Sequence, residues 1–118
     1  MFLEDLKLRA PIFQAPMAGV STPELAAAVS NAGALGALGL GASDWESAAK
    51  KVDAFRIRSN GPLHLNFFCH DEPERNQPLE TAWIARFASE FAALKANPPN
   101  SLKNPYTSAK DDPQLIDF

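Results

Sequence analysis

The sequence ALGALGLG at residues 34–41 is an apolar run without a single polar side chain. A segment that is apolar on both faces is typical of a parallel strand whose sheet has helices on both sides. Its three glycines, Gly36, Gly39 and Gly41, lower the strand propensity, so another group must approach this backbone closely. The sequence leaves two candidates for that group, a tightly packed helix and a flat ligand. The glycine spacing does not match G-x-G-x-x-G, the fingerprint of dinucleotide-binding folds.

Predicted strands and helices alternate on both sides of this run. We predict strands near residues 11–18, 34–41 and 63–69, and helices near residues 22–32, 44–58 and 79–96. This β-α-β-α-β order with short connections predicts a right-handed parallel α/β fold. Three parallel strands leave two open sheet edges, so we expect the chain to be the N-terminal portion of a longer protein. A compact three-stranded domain is the alternative.

The first predicted helix has two candidate N-caps. Ser21 forms a capping box with Glu24, whereas Thr22 as N-cap places Pro23 at the first helical position. The buried face of each helix is predicted from apolar residues at helical spacing. These residues are Leu25, Ala28, Val29 and Ala32 on the first helix, Trp45, Ala48, Ala49, Val52 and Phe55 on the second, and Trp83, Ile84, Phe87, Phe91 and Leu94 on the third.

Composition argues against several classes of protein. A net charge of −3 without a basic stripe speaks against a nucleic-acid partner. The apolar stretch at residues 34–42 is too short and too rich in glycine to span a bilayer, so no membrane partner is expected. Acidic residues stand near the N-terminus, where a signal peptide carries basic ones. The single cysteine, Cys69, permits no internal disulfide, which fits a reducing compartment and predicts a cytoplasmic location.

Asn66 is the most informative polar residue in the predicted strands. It lies in the apolar segment LHLNFFC at residues 63–69, on the face opposite Leu65 and Phe67. A buried amide without a partner costs about 1–3 kcal/mol, so Asn66 must find one. Two partners remain open, a ligand with both donors and acceptors along one edge and a neighbouring strand.

The first predicted strand ends in a turn of small residues, QAPMAG at residues 14–19. Parallel α/β proteins bind ligands at this end of their strands. Pro16 stiffens the turn, Ala18 and Gly19 leave room for a planar ring, and Met17 offers a polarisable border. The alternative is that Met17 fills the core.

Cys69 and His70 are adjacent, but they do not make a convincing catalytic or metal site. A metal centre needs at least three ligands, and the remaining histidine, His64, lies six residues earlier. We therefore predict no metal and assign no catalytic residue. His64 is expected to be a packed or hydrogen-bonded strand residue.

Three segments together resemble the nitronate monooxygenase family, formerly called 2-nitropropane dioxygenases. The segments are PIFQAPMAGVSTPELA at residues 11–26, SNAG followed by LG at residues 30–36, and LNFFCH at residues 65–70. The resemblance implies the first three βα units of a TIM (β/α)8 barrel, incomplete in this chain. It also implies FMN-dependent oxidation of alkyl nitronates with O₂ to a carbonyl compound and nitrite.

The resemblance also implies which residues bind the cofactor. By position, Ala15, Pro16, Met17 and Ala18 would lie along the isoalloxazine ring of FMN, and Asn66 would hydrogen-bond it. The general-base histidine and the phosphate-binding loops of the family have no counterpart in these 118 residues. We therefore expect the isolated chain to be inactive, with the remainder of the barrel or another chain covering its open strand edges. The alternatives are an enoyl reductase-like flavin barrel and a non-catalytic interaction module.

Overall fold

The computed structural model describes residues 2–116 and the side chains of residues 4–115. The chain divides into two units, one of Met1–His70 with Tyr106–Phe118 and one of Asp71–Pro105. The prediction from the sequence is that all 118 residues form part of a single domain. Among the described helices, none is long and apolar enough to cross a membrane.

The first unit is an α/β unit with a partial parallel sheet. Its elements are α1 (Phe2–Asp5), α2 (Pro23–Asn31), β1 (Gly36–Gly39), α3 (Trp45–Arg56), β2 (Leu63–Asn66), a 3-10 turn (Ala109–Asp111) and α6 (Pro113–Ile116). The second unit contains α4 (Gln77–Arg86) and α5 (Ala88–Ala93). β1 and β2 are parallel, with Gly36 opposite Leu63 and Gly39 opposite Asn66. The predicted parallel α/β class is confirmed, and both strands are shorter than predicted.

The predicted strand at residues 11–18 is reduced to one parallel bridge between Phe13 and Leu35. The Leu35 N–H donates to the Ile12 carbonyl at 3.0 Å, and the Gln14 N–H donates to the Leu35 carbonyl at 2.9 Å. Pro16 has no N–H to donate, so regular pairing cannot continue through it. Only the centre of the predicted strand is therefore paired.

Helix α2 begins after Thr22, not Ser21. The Thr22 hydroxyl accepts from the Leu25 N–H at 3.2 Å, and Pro23 occupies the first turn. The predicted buried face of α2 is wrong: Leu25 is 41% exposed, whereas the buried residues are Ala26, Ala27 and Ser30. The reason is the close approach of α2 to β1, which admits only small side chains between them.

Gly36 is the point of that approach. A Cβ at Gly36 would lie 2.1 Å from the Ala26 carbonyl oxygen and 2.5 Å from the Ser30 hydroxyl. The Ser30 hydroxyl accepts from the Gly36 N–H at 3.1 Å and donates to the Pro62 carbonyl at 2.7 Å. One buried serine thus joins α2, the start of β1 and the residue before β2.

The core of the first unit lies between the two helices and the sheet. Ala48 and Phe55 of α3 are fully buried against Leu38 and Leu40, as their spacing predicted, whereas Trp45 stays 39% exposed. The segment after the last predicted helix contributes as well. Its Ser108 and Ala109 are buried, and the Ala109 N–H donates to the Phe68 carbonyl at 2.7 Å.

The second unit replaces the single predicted helix at residues 79–96 with two shorter ones. Phe87 ends α4 and begins α5 with a non-helical backbone (φ −99°, ψ 15°). The five apolar residues predicted for one side of a single helix are divided between the two helices and the residues that end them, and all five line one groove. Arg75 makes a bidentate pair with Glu80, at 2.7 and 2.6 Å, and its hydrogen bonds lower the pKa of the Glu80 carboxyl.

We predict that Gly36→Ala destabilises the chain by about 3 kcal/mol, the upper end for overpacking, because the added methyl group meets backbone that cannot rotate away. The measurement is the free energy of unfolding in urea. Gly19→Ala is the matched control. Its Cβ meets nothing within 4 Å, so only its positive φ of 75° costs energy, about 1 kcal/mol. Equal losses in the two variants would contradict the close packing.

The second stability prediction concerns Asp44, the N-cap of α3. Hydrogen bonds from Ser47, through its side chain and its backbone N–H, hold the pKa of the Asp44 carboxyl below its ordinary value of 3.8. A lowered pKa stabilises the fold above pH 3.8, and this contribution is lost as the pH falls through the folded-state value.

We therefore expect Asp44→Asn to melt like the wild type at neutral pH, because asparagine caps as well as aspartate. The melting temperature of the wild type should fall relative to that of Asp44→Asn as the pH drops below 3.8. Asp44→Ala should melt lower than both at neutral pH. A difference between wild type and Asp44→Asn that does not vary with pH would refute the assignment.

Candidate functional site

The ends of the three parallel segments meet at one edge of the sheet. A Cβ at Gly39 would lie 2.8 Å from the Pro16 carbonyl oxygen and 3.3 Å from the Ala18 nitrogen, so the turn after Phe13 lies directly beside β1. On the other side of Gly39, the paired residue on β2 is Asn66. The structure thus brings together the five residues predicted for the site: Ala15, Pro16, Met17, Ala18 and Asn66.

The residues 15–18, called here the 15–18 turn, present a small and largely exposed surface. Ala15 and Ala18 are exposed, Pro16 is half-buried and the Met17 side chain is 46% exposed. The prediction that Met17 fills the core is therefore wrong for the described residues. Within residues 2–116, the Ala18 N–H donates to no protein acceptor. The Ala15 N–H likewise has no acceptor among these residues, so the turn offers flat apolar surface and two backbone donors.

Asn66 lies on the sheet face that the helices leave uncovered. Leu63, Leu65 and Phe67 pack against the core, and His64 and Asn66 alternate with them on the other face, as the strand pattern predicted. The Asn66 carbonyl accepts from the Leu40 N–H at 2.9 Å. Its half-buried side-chain amide makes no hydrogen bond within the described part of the chain, so it can both donate to and accept from a ligand.

The same face contains an open cavity of about 390 Å³ next to the 15–18 turn. It is lined by Phe13, Gln14, Ala15, Pro16, Leu35 and His64. Phe13 is half-exposed and His64 is exposed. The cavity extends the ligand-accessible surface from the turn toward the middle of the sheet.

Protein packing accounts for all three glycines of residues 34–41. Gly36 makes room for α2, Gly39 makes room for the 15–18 turn, and a Cβ at Gly41 would lie 2.8 Å from the Phe68 ring. That ring also packs edge-on against Tyr106, with centroids 5.0 Å apart. Of the two candidates that the sequence left open, close packing is what the structure shows.

Gln14 is a site residue that the sequence analysis did not identify. Its side-chain amide donates to the Ala37 carbonyl at 3.2 Å, and its carbonyl oxygen accepts from the Ala37 N–H at 3.2 Å. The side chain therefore pairs with β1 as a strand backbone would, just before the 15–18 turn. The sequence contains a signal for this role, because Gln14 is a polar amide inside an apolar strand and therefore needs a partner. The same argument was applied to Asn66.

The cysteine and the histidines do not form a reactive cluster. Cys69 is a free, exposed thiol, and the His70 ring lies 6.4 Å from the Phe68 ring, centroid to centroid. No group of three or more metal-binding side chains occurs within residues 2–116.

Comparison with known proteins places the chain in a family. The family model described as Nitronate monooxygenase matches residues 1–103. The chain belongs to the nitronate monooxygenase family. It is 44% identical over 106 residues to the nitronate monooxygenase of Paraburkholderia phytofirmans, covering 90% of this chain and 29% of that protein. It is 42% identical over 115 residues to the nitronate monooxygenase of Pseudomonas aeruginosa, covering 98% and 33%.

Two solved structures are similar to the chain. The nitroalkane oxidase of Streptomyces ansochromogenes is 35% identical with a TM-score of 0.68, covering 82% of this chain and 27% of that chain. FabK from Thermotoga maritima is 30% identical with a TM-score of 0.54, covering 74% and 26%. Nitronate monooxygenases are in general flavin-dependent oxidoreductases. This chain spans about a third or less of the length of the relatives named here.

We predict that Gln14→Glu destabilises the fold at neutral pH by about 2 kcal/mol, because the carboxylate loses the donor to the Ala37 carbonyl and repels that oxygen. Stability should partly return in acid, when the protonated carboxyl can donate again. The check is urea unfolding at neutral and acidic pH, with the exposed Gln77→Glu as control. A Gln14→Glu variant as stable as the control would show that the Gln14 bonds contribute nothing.

Proposed function

We propose that this chain supplies part of the cofactor site of an FMN-dependent nitronate monooxygenase. The reaction is the oxidation of an alkyl nitronate with O₂ to a carbonyl compound and nitrite. The observation that carries the proposal is the convergence of the 15–18 turn and the unpaired Asn66 amide on either side of Gly39. Family membership supports the reaction class.

The residues present fit the ring of a flavin. An isoalloxazine ring is flat and largely apolar, and its pyrimidine edge alternates hydrogen-bond donors and acceptors. The exposed 15–18 turn has no bulky branched side chain, so it can lie along a ring face. The Asn66 amide can donate and accept at the ring edge. Groups that hold the phosphate are not assigned in this chain.

Bound FMN supplies the electron acceptor for the nitronate and the means of reducing O₂. The part of these residues is to bind and orient. The 15–18 turn supports the ring, the Ala18 N–H and the Asn66 amide fix its rotation, and Met17 borders it. No residue of this chain is assigned as the base, and His64 and His70 do not take that role.

We further propose that the three parallel segments are the first three βα units of a (β/α)8 barrel. The helices leave one sheet face uncovered, and neither outer segment pairs with a further strand among residues 2–116. A barrel covers such a face with its own interior and removes both edges by closure. The partner is therefore the remainder of the barrel or another chain that supplies it. A cytoplasmic location belongs to this proposal, in line with a single free thiol.

The test replaces the matching 115 residues of the Pseudomonas aeruginosa relative with this chain. We expect the chimera to bind FMN and to release nitrite from a small alkyl nitronate while consuming O₂. The 118-residue chain alone should show no turnover. A folded chimera that stays colourless with added FMN would refute the proposal. NAD(P)H consumption in place of nitrite release would favour the enoyl reductase-like alternative.

Asn66→Leu tests the contribution of one site residue to flavin binding. We expect its flavin dissociation constant in the chimera to rise about tenfold or more, because the hydrogen bonds to the ring edge are lost. The melting temperature without flavin should stay near that of the wild type, since the amide has no hydrogen-bond partner among residues 2–116 to lose. Asn60→Leu, an exposed change three residues before the start of the same strand, is the control. Unchanged affinity in Asn66→Leu would remove Asn66 from the site.

A further inference from the structure

Ser21 is the hydrogen-bonding centre of the loop that forms the 15–18 turn. Its hydroxyl donates to the Ala15 carbonyl at 2.8 Å and accepts from the Met17 N–H at 2.9 Å. Its backbone N–H donates to the Met17 carbonyl at 2.8 Å. A single residue thus binds both ends of the turn.

The role of Ser21 is separate from helix capping. Thr22 is the N-cap of α2, and its hydroxyl accepts from the Leu25 N–H. The Ser21 hydroxyl points back to the turn instead of forward to the helix. Two adjacent hydroxyls therefore hold two different elements.

The Ser21 bonds decide which backbone groups of the turn remain available. The Ala15 carbonyl and the Met17 N–H are engaged by Ser21, and Pro16 has no N–H. The Ala18 N–H, beside Gly39, has no acceptor within residues 2–116. The Ala15 N–H likewise has no acceptor within these residues, so a ligand at this edge meets the preset donors of Ala15 and Ala18.

We propose that Ser21 is a positioning residue: through its hydroxyl it holds the 15–18 turn in the conformation that receives the flavin ring. This inference rests on the proposed function and extends it to a residue that does not touch the cofactor. The turn is exposed. Besides the Ser21 bonds, it is held by the bond from the Met17 N–H to the Ala15 carbonyl at 3.0 Å and by the bond from the Val20 N–H to the Met17 carbonyl at 3.2 Å. The Ser21 hydroxyl is the side chain that joins its two ends. Holding it before binding lowers the entropy lost when the ligand orders it.

The first experiment measures hydrogen exchange of backbone amides in the 118-residue chain and in the chimera. In Ser21→Ala the Met17 amide should exchange about tenfold faster, because it loses the Ser21 hydroxyl and keeps only its 3.0 Å bond to the Ala15 carbonyl. The Leu25 amide should be unchanged. Thr22→Ala is the matched control. In this variant the Leu25 amide should exchange faster, and the Met17 amide should exchange at the wild-type rate.

The second experiment measures flavin affinity and the visible absorption spectrum of the bound flavin in the chimera. Ser21→Ala should raise the dissociation constant about tenfold and shift the spectrum, because the ring environment changes. Ser21→Thr keeps the hydroxyl and should show the wild-type dissociation constant and the wild-type spectrum. Thr22→Ala should melt lower than the wild type yet leave the spectrum unchanged. Should Ser21→Ala not fold, Ser21→Cys replaces it, since a thiol fits the space but hydrogen-bonds weakly.

Two outcomes would overturn the inference and are distinguishable from failure of the proposed function. If Ser21→Ala binds flavin with wild-type affinity and spectrum, Ser21 does not position the turn for the ligand. If Ser21→Ala and Thr22→Ala weaken binding equally, Ser21 acts only through stability. A folded wild-type chimera that does not bind flavin overturns the proposed function, and this inference with it.

Discussion

The contact on which the first unit depends is the close approach of α2 to β1 at Gly36. Helix backbone lies where a side chain of residue 36 would be, and the buried Ser30 hydroxyl joins the helix to both strands. This approach requires small residues on the facing side of α2, which explains why Ala26 is buried and Leu25 is exposed.

The candidate site is built mainly from backbone, and side chains next to it hold that backbone in place. Gln14 pairs with Ala37 where regular strand pairing stops, and Ser21 closes the turn that follows. Gly39 lets the turn lie against β1. A ring-binding surface made in this way keeps its shape through hydrogen bonds and leaves the ring faces free of bulky side chains.

The open sheet face and the open strand edges are both surfaces that a complete parallel α/β protein covers. Phe13 and His64 are accessible on a face that a parallel α/β protein normally covers, and the outer segments pair with no further strand among the described residues. The relatives are about three times as long as the matched region. In our proposal, the strands that would cover this surface correspond to the additional length of those relatives.

Local signals in the sequence by themselves determined the α/β alternation, the parallel class and the face of Asn66, because each depends on neighbouring residues or on strand alternation. They narrowed the cap of α2 to Ser21 or Thr22, and the structure decided for Thr22. Only the tertiary structure decided what fills the space at each glycine, which face of α2 is buried and how Gln14 and Ser21 are used. Most of those outcomes depend on distances between segments about 20 residues apart, such as Gln14 and Ala37, whereas Ser21 bonds to residues four and six positions away, a local contact that sequence pattern did not distinguish from capping. Periodicity along one segment contains no information about how closely its neighbour packs.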